Sequence, residues 1–440
     1  MPRFLRFLIF VLAALAANCA AAQAQAVPQH PQTAQTAPSQ PTSAPAYKLP
    51  PEKLARARTL NKIRLTLEIA GTLWSLAVLW LLLATRAAAA LETRLKRVSR
   101  FRWVQGLIFL AAYVVITTLA DLPLEAAGHA ASLHYGISVQ QWPGWFADQA
   151  KWLAMSLLGV WILLLFNWIV RVAPRFYWLW LWAISVPLII AGVIGTPVFI
   201  DPLFNKFEPL MKTHASLVAK LETVVARTGT QIPPERMFLM KASEKSNGIN
   251  AYVTGLGSTK RYVMWDTTTD RMPDDEILFI FGHESGHYVL NHIPKMLGIT
   301  AGAMLIIFWA CRGATVWLVR RFGPRWGIES VGSRAGFLVL IFSWSIASFL
   351  LTPASNAMSR YIEHEADVYG QEAIHGLVPD PQKTAVSAFN HLGEAWLEDP
   401  DPNPIVEFWD YNHPSVQNRA KFARSYDPWV NDGRGRFFAK

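Results

Sequence analysis

Two histidines four residues apart bracket a glutamate in His283-Glu284-Ser285-Gly286-His287. On a helix, that spacing puts both imidazoles on one face, one turn apart, where their nitrogens can converge on a single ion. Glu284 stands one position round. It can reach a water beside the ion but is poorly placed to ligate it, which is where a metalloprotease keeps its general base. A catalytic zinc takes three protein ligands and leaves a fourth position open. The only cysteines, Cys19 and Cys311, lie inside apolar runs, so the third ligand is expected to be a histidine or carboxylate from elsewhere in the chain. Glu363, in Ser359-Arg360-Tyr361-Ile362-Glu363-His364-Glu365-Ala366-Asp367, is the best candidate, with Glu365 and Glu372 as rivals. If Glu363 points in, His364 and Glu365 point away, and Asp367, one turn on, can accept a hydrogen bond from the outer nitrogen of a ligand histidine. One Zn2+ per chain is expected, kept net positive by two neutral imidazoles and one carboxylate.

Local signals supply the elements that would position these groups. Pro273 followed by Asp274, Asp275 and Glu276 is a helix start, because proline needs no donor there and acids favour the positive helix end. Upstream, a helical stretch near Leu217 to Arg227 precedes Pro233-Pro234. A hairpin follows, with strands Asn250 to Thr254 and Arg261 to Trp265 joined through Gly255, Gly257 and Ser258. The segment carrying Glu363 reads as a helix that ends no later than Gly376.

The chain is too apolar for an ordinary soluble enzyme and too polar to lie wholly in a membrane: 52% of its 440 residues are hydrophobic and 16% charged. Its net charge of +10 sits beside apolar runs, a topology signal rather than a nucleic-acid face. Six runs are long enough to span hydrocarbon: Leu65 to Thr85, Trp103 to Ala120, Trp152 to Val172, Tyr177 to Ile200, Met296 to Leu318 and Ala335 to Leu351. Arg312 would lie deep in the fifth, facing a cavity or partner, unless that span ends near Ala310. Residues 1–26 read as a signal peptide, with an uncleaved anchor as the alternative, and 27–51 as a disordered Pro/Gln/Ala tether. The remainder divides into a four-span region (52–200), a first catalytic segment (201–295), a two-span region (296–352) and a second catalytic segment (353–440). The loops after the first, third and fifth spans are basic and the Asp121 to Asp148 loop is not, so the positive-inside rule places both catalytic segments outside the cytoplasm.

Several motifs occur in order: Asp201-Pro202-Leu203-Phe204-Asn205-Lys206-Phe207; Asn250-Ala251-Tyr252; His283 to His287 with His292; Ser359-Arg360 through Glu363-Ala366-Asp367; and His413-Pro414 with Arg419. Together they resemble the M48 peptidase family, in particular its CAAX prenyl protease 1 type rather than its shorter members, over roughly Leu65 to Tyr426. The resemblance implies a mainly α-helical polytopic membrane protein with a gluzincin-like zinc protease domain containing a small β-hairpin or sheet, and spans that enclose a chamber with the metal at its mouth. It assigns His283, His287 and Glu363 to the metal and Glu284 to catalysis. Asp367 and Arg360 fall behind the ligands, and Asn250 and His413 line the substrate site. The strand bearing Ala251, Tyr252 and Val253 could pair with an extended substrate. His413, held by Pro414, could donate to the oxyanion or simply start the next helix. The expected partners are a peptide or membrane-protein substrate and the bilayer, with neither nucleic acid nor organic cofactor. The family implies a cytoplasmic site, opposite to the charge pattern, while the signal-like start points to a bacterial inner membrane. Two other classes compete: a non-catalytic scaffold with structural zinc, which would have no use for Glu284, and a transporter, which would need a path between helices.

Overall fold

The computed structural model describes residues 46–430 and 433–439. The signal or anchor segment, and the tether up to residue 45, lie outside the described residues. The last part of the expected tether is docked: Tyr47 is 1% exposed, its N–H donates to Gln417 Oε1, and its hydroxyl donates to the Glu398 carbonyl.

The membrane region comprises α1 (Pro51–Ala84), the short amphipathic α2 (Ala87–Val98), α3 (Arg102–His134), α4 (Trp142–Val172) and α5 (Tyr177–Gly195). Six helices among the described residues are long and apolar enough to cross a bilayer, matching the expected number. Their bounds differ from the expectation because helices continue beyond the apolar stretch. α1 starts at Pro51, well before Leu65, and α3 runs past Pro123 to His134. Pro197, which has no N–H to give, falls where α5 loosens into a π-turn at Thr196–Ile200. Trp74, Trp80, Leu158, Trp180, Ile306 and Trp309 are exposed on the perimeter, as lipid-facing side chains must be. Phe109, Leu110, Val160, Leu163 and Val339 fill the interior between the spans.

Beyond α5 the chain forms β1 (Phe207–Pro209), α6 (Ala215–Thr228), β2 (Met237–Met240), β3 (Ala251–Thr254), β4 (Arg261–Trp265) and α7 (Asp274–Val289). The expected hairpin is β3 with β4, paired antiparallel with Tyr252 opposite Val263. It belongs to a four-stranded sheet in the order β1-β2-β4-β3, which leaves β3 at an edge. α7 opens on three acids as expected, and Glu276 to His287 are buried throughout, between α6, α9, α10 and β3.

The remaining helices are α8 (His292–Trp326), α9 (Arg334–Ala373), α10 (Pro381–Trp396), α11 (Pro404–Asp410) and α12 (Val416–Ser425). α8 continues unbroken past Arg312 to Trp326, so the helix itself does not end near Ala310. α9 is a single 40-residue helix that starts at the Ser333 cap, crosses the membrane region and carries straight on through Glu363 and Asp367. Because the spans alternate, the basic turns gather at the end away from α7. There Arg86 donates to the Arg325 carbonyl, and Arg334 reaches Glu92 and the Arg102 carbonyl.

Candidate active site

The crossing of α7 and α9 brings the two halves of the site together. A side-chain carbon built on Gly370 would lie 2.7 Å from the His283 backbone nitrogen, so only glycine permits this approach. The closeness sets Glu363 opposite both histidines. His283 Nε2 lies 3.1 Å from His287 Nε2 and 3.3 Å from Glu363 Oε2, and His287 Nε2 lies 3.7 Å from Glu363 Oε1. One donor atom from each of the three falls within 4.8 Å of the others. Both Glu363 oxygens are buried without a hydrogen-bond partner. A buried carboxylate left so is costly unless a cation sits before it, so the donor set fits a metal ion.

The surroundings orient these histidines. His283 Nδ1 lies 2.9 Å from Asp367 Oδ1, which turns Nε2 toward Glu363. Burial disfavours a charged His283, but the Asp367 and Glu363 carboxylates outweigh it and carry its pKa up to about 10, so this position calls for positive charge. For His287 burial prevails, assisted by the neighbouring histidines, and holds the pKa well below its usual range as a neutral ligand requires. Its Nδ1 faces His292 Nδ1 at 3.2 Å, and His292 Nε2 is 3.5 Å from Glu365.

Asp367 takes its place from Arg419, whose Nε and Nη2 donate at 2.9 and 2.6 Å. Arg360, expected behind the ligands, does not touch Asp367. Its guanidinium donates to the Glu407 and Tyr411 carbonyls and so ties the turn before His413 to α9. The Arg419 sequence signal was present beside His413-Pro414, but the sequence does not say which carboxylate it meets. The rivals to Glu363 are occupied elsewhere. Glu365 faces His292 and Arg436, while Glu372 accepts the backbone N–H groups of Arg436, Phe437 and Phe438.

Glu284 is 6% exposed, with Oε1 4.0 Å from His283 Nε2 and Oε2 accepting the Val253 N–H at 3.2 Å. Burial, opposed by His283 and reinforced by Glu363, raises its pKa to about 8. A cavity of about 650 Å³ opens over it, lined by Asn250, Ala251, His283, Glu284, His413 and Arg419 among others. His413 reaches in to place Nε2 3.3 Å from Glu363 Oε2, with Nδ1 2.8 Å from Asn412 Oδ1. Asn250 is fixed by its backbone, which exchanges hydrogen bonds with the Thr268 hydroxyl at 2.9 and 2.8 Å. Ala251 and Val253 turn their side chains toward the α7 core, whereas Tyr252 packs with Phe207, Phe238 and Trp265 on the other face of the sheet and spends its backbone groups on β4, so only Ala251 and Val253 present backbone at the open edge.

The arrangement has counterparts in known proteins. The family described as "Peptidase family M48" matches residues 211–427, and "CAAX prenyl protease N-terminal, five membrane helices" matches residues 29–206. A Bacillus subtilis (strain 168) protein named "Uncharacterized metalloprotease YhfN" is 33% identical over 384 residues, covering 86% of this chain and 87% of the relative. The chain belongs to the M48 peptidase family. A further relative is "CAAX prenyl protease 1" of Saccharomyces cerevisiae, 27% identical over 413 residues, or 84% of this chain and 87% of that one. The fold matches the crystal structure of S. mikatae Ste24p with a TM-score of 0.72 at 22% identity, over 96% of this chain and 97% of that one. This M48 peptidase is an integral membrane metalloprotease with six membrane-capable helices among its described residues.

Proposed function

We propose that the chain is a zinc endopeptidase that cleaves extended polypeptides presented from the membrane, with His283, His287 and Glu363 as the metal ligands and Glu284 as the general base. The observation that carries this reading is the position of Glu284. It sits on the cavity floor beside the ligand His283 and hydrogen-bonds the amide of an edge strand to which a peptide could add. Zinc, when bound, supplies a Lewis acid that polarises the scissile carbonyl and makes water acidic enough to attack at neutral pH.

The chain's own groups do the rest. The outward backbone groups of Ala251 and the outward carbonyl of Val253 hold the substrate extended along β3, the Val253 N–H being given to Glu284. Glu284, with its pKa raised by burial, takes a proton from the attacking water and passes it to the leaving amine. His413 and Asn250 flank the carbonyl, and His413 in its doubly protonated form, with Nδ1–H held by Asn412 Oδ1, donates through Nε2 to the oxygen as negative charge develops there. Asp367 and Arg419 keep His283 in the ligating tautomer throughout.

The yeast relative is named for prenylated CAAX tails. Lipid-bearing C-terminal tails are therefore one substrate class to offer, and unfolded segments of membrane proteins another. We place the protein in a bacterial inner membrane with its site on the non-cytoplasmic side, since the basic turns collect at the opposite end. In a background with Cys19 and Cys311 replaced by serine, Lys421→Cys on the exposed face of α12 tests this. Labelling of intact cells by an impermeant thiol reagent supports it, and labelling only after permeabilisation refutes it.

The enzymatic test is metal content together with cleavage of an unstructured reporter peptide, for wild type and Glu284→Gln. One zinc per chain in both, with cleavage lost only in the variant, is the expected result. Equal turnover would remove Glu284 from the mechanism. A zinc-loaded wild type that cleaves no member of a peptide panel, prenylated or not, would favour a scaffold.

A further inference from the structure

A second cavity, of about 330 Å³, lies at the end of the membrane bundle remote from the metal ligands, between the start of α3, the end of α4 and the start of α9. Arg102, Arg171 and Arg334 all line it, with Glu92 the one acid on its wall. We propose that this cavity binds the phosphate headgroup of an anionic phospholipid.

Glu92 is already committed. One oxygen lies 3.2 Å from Arg334 Nη1, and the other accepts the Ala335 N–H at 3.0 Å. Arg334, 6% exposed, is held further by Gln105 Oε1 at 2.7 Å and the Arg102 carbonyl at 3.0 Å, which makes it a fixed part of the wall. Arg102 and Arg171 are exposed, and among the described residues neither forms an ion pair with an acid. Three guanidiniums against one carboxylate around a single cavity repel one another until an anion enters.

The cavity opens toward lipid. Trp103, Trp161 and Trp168 stand on its rim, 56%, 54% and 51% exposed, as indoles do at headgroup depth. Charge that served only to orient the chain would need to lie in the turns, without converging on a pocket. A basic pocket between spans at the bilayer surface is the form in which anionic headgroups are held. Guanidinium forks suit phosphate oxygens, and the acyl chains would lie along the exposed Trp161 and Trp168 on α4.

The test uses the full chain purified in detergent as wild type, Arg102→Gln/Arg171→Gln, the single variant Arg171→Gln, and a control, Arg94→Gln/Arg97→Gln, that removes two charges from α2 outside the cavity. Each is incubated with an equimolar mixture of phosphatidylglycerol and phosphatidylcholine, and retained lipid is counted by native mass spectrometry. Wild type should prefer phosphatidylglycerol by about 30-fold, the combined effect of two interfacial basic contacts. The double variant should lose the preference, the single variant about half of it on a logarithmic scale, and the control none, with reporter-peptide cleavage unchanged in all. An equal loss in the control would reduce the effect to diffuse surface charge and overturn the proposal. So would no preference in wild type, or complete displacement of the lipid by millimolar inorganic phosphate, which would mark a free-phosphate site.

Discussion

Replacing Arg419 by glutamine tests whether the groups behind the ligands govern the metal. Asp367 is 2% exposed and shares its two oxygens between His283 Nδ1 at 2.9 Å and the Arg419 fork at 2.9 and 2.6 Å. Removing one partner of a buried ion pair costs about 3–5 kcal/mol, because the other charge is left uncompensated. The chain can evade part of that cost by protonating Asp367, and then His283 loses the carboxylate that makes it a basic ligand. Loss of such an outer partner weakens metal binding by roughly 10–100-fold, or about 1.4–2.7 kcal/mol. Titration of detergent-purified protein against a competing chelator reads the affinity, and thermal melting with and without metal reads the stability. Arg419→Lys, which keeps the charge but not the fork, should fall between wild type and Arg419→Gln. Metal affinity within twofold of wild type in Arg419→Gln would refute the reasoning, even if the metal-free protein melted earlier, since the pair would then only hold α12 to α9.

Three further outcomes follow from the same geometry. Gly370→Ala puts a methyl group 2.7 Å from the His283 nitrogen and should cost about 1–3 kcal/mol of overpacking together with metal affinity; unchanged melting and metal content would contradict the role given to that helix crossing. His413→Ala should lower kcat by roughly 100–1,000-fold while leaving metal content intact, and an effect confined to KM would assign His413 to binding instead. In protein stripped of metal, Glu284 has a folded pKa near 8 against an ordinary value of 4.5, so the folded state keeps a proton the unfolded state has released, and stability falls as pH rises through that window. Glu284→Gln removes this contribution. Its melting temperature should match wild type below the lower value and exceed it increasingly up to the higher one, and a pH-independent difference would argue against the burial-raised pKa.

The sequence alone was enough for the chemistry and for the membrane character. The His283–His287 spacing is a one-turn helical relation that holds wherever the helix lies, and six apolar runs must find hydrocarbon or one another. That Glu363 and Asp367, four apart, share one face of a helix was legible for the same reason, and so was the β3–β4 hairpin with its glycine-rich turn. Tertiary structure decided what local period cannot express. That α9 runs unbroken from the membrane region to Glu363 depends on neighbours that keep a helix going past its apolar stretch and past Pro353. The pairing of Arg419 with Asp367, the capture of Glu372 by the amides of residues 436–438, and the outward turn of Tyr252 all depend on which surfaces meet across more than fifty residues of chain or on which face of a sheet is covered. Pairing between distant segments is fixed by packing and by the cost of burying a charge alone, and neither quantity exists until the chain has folded.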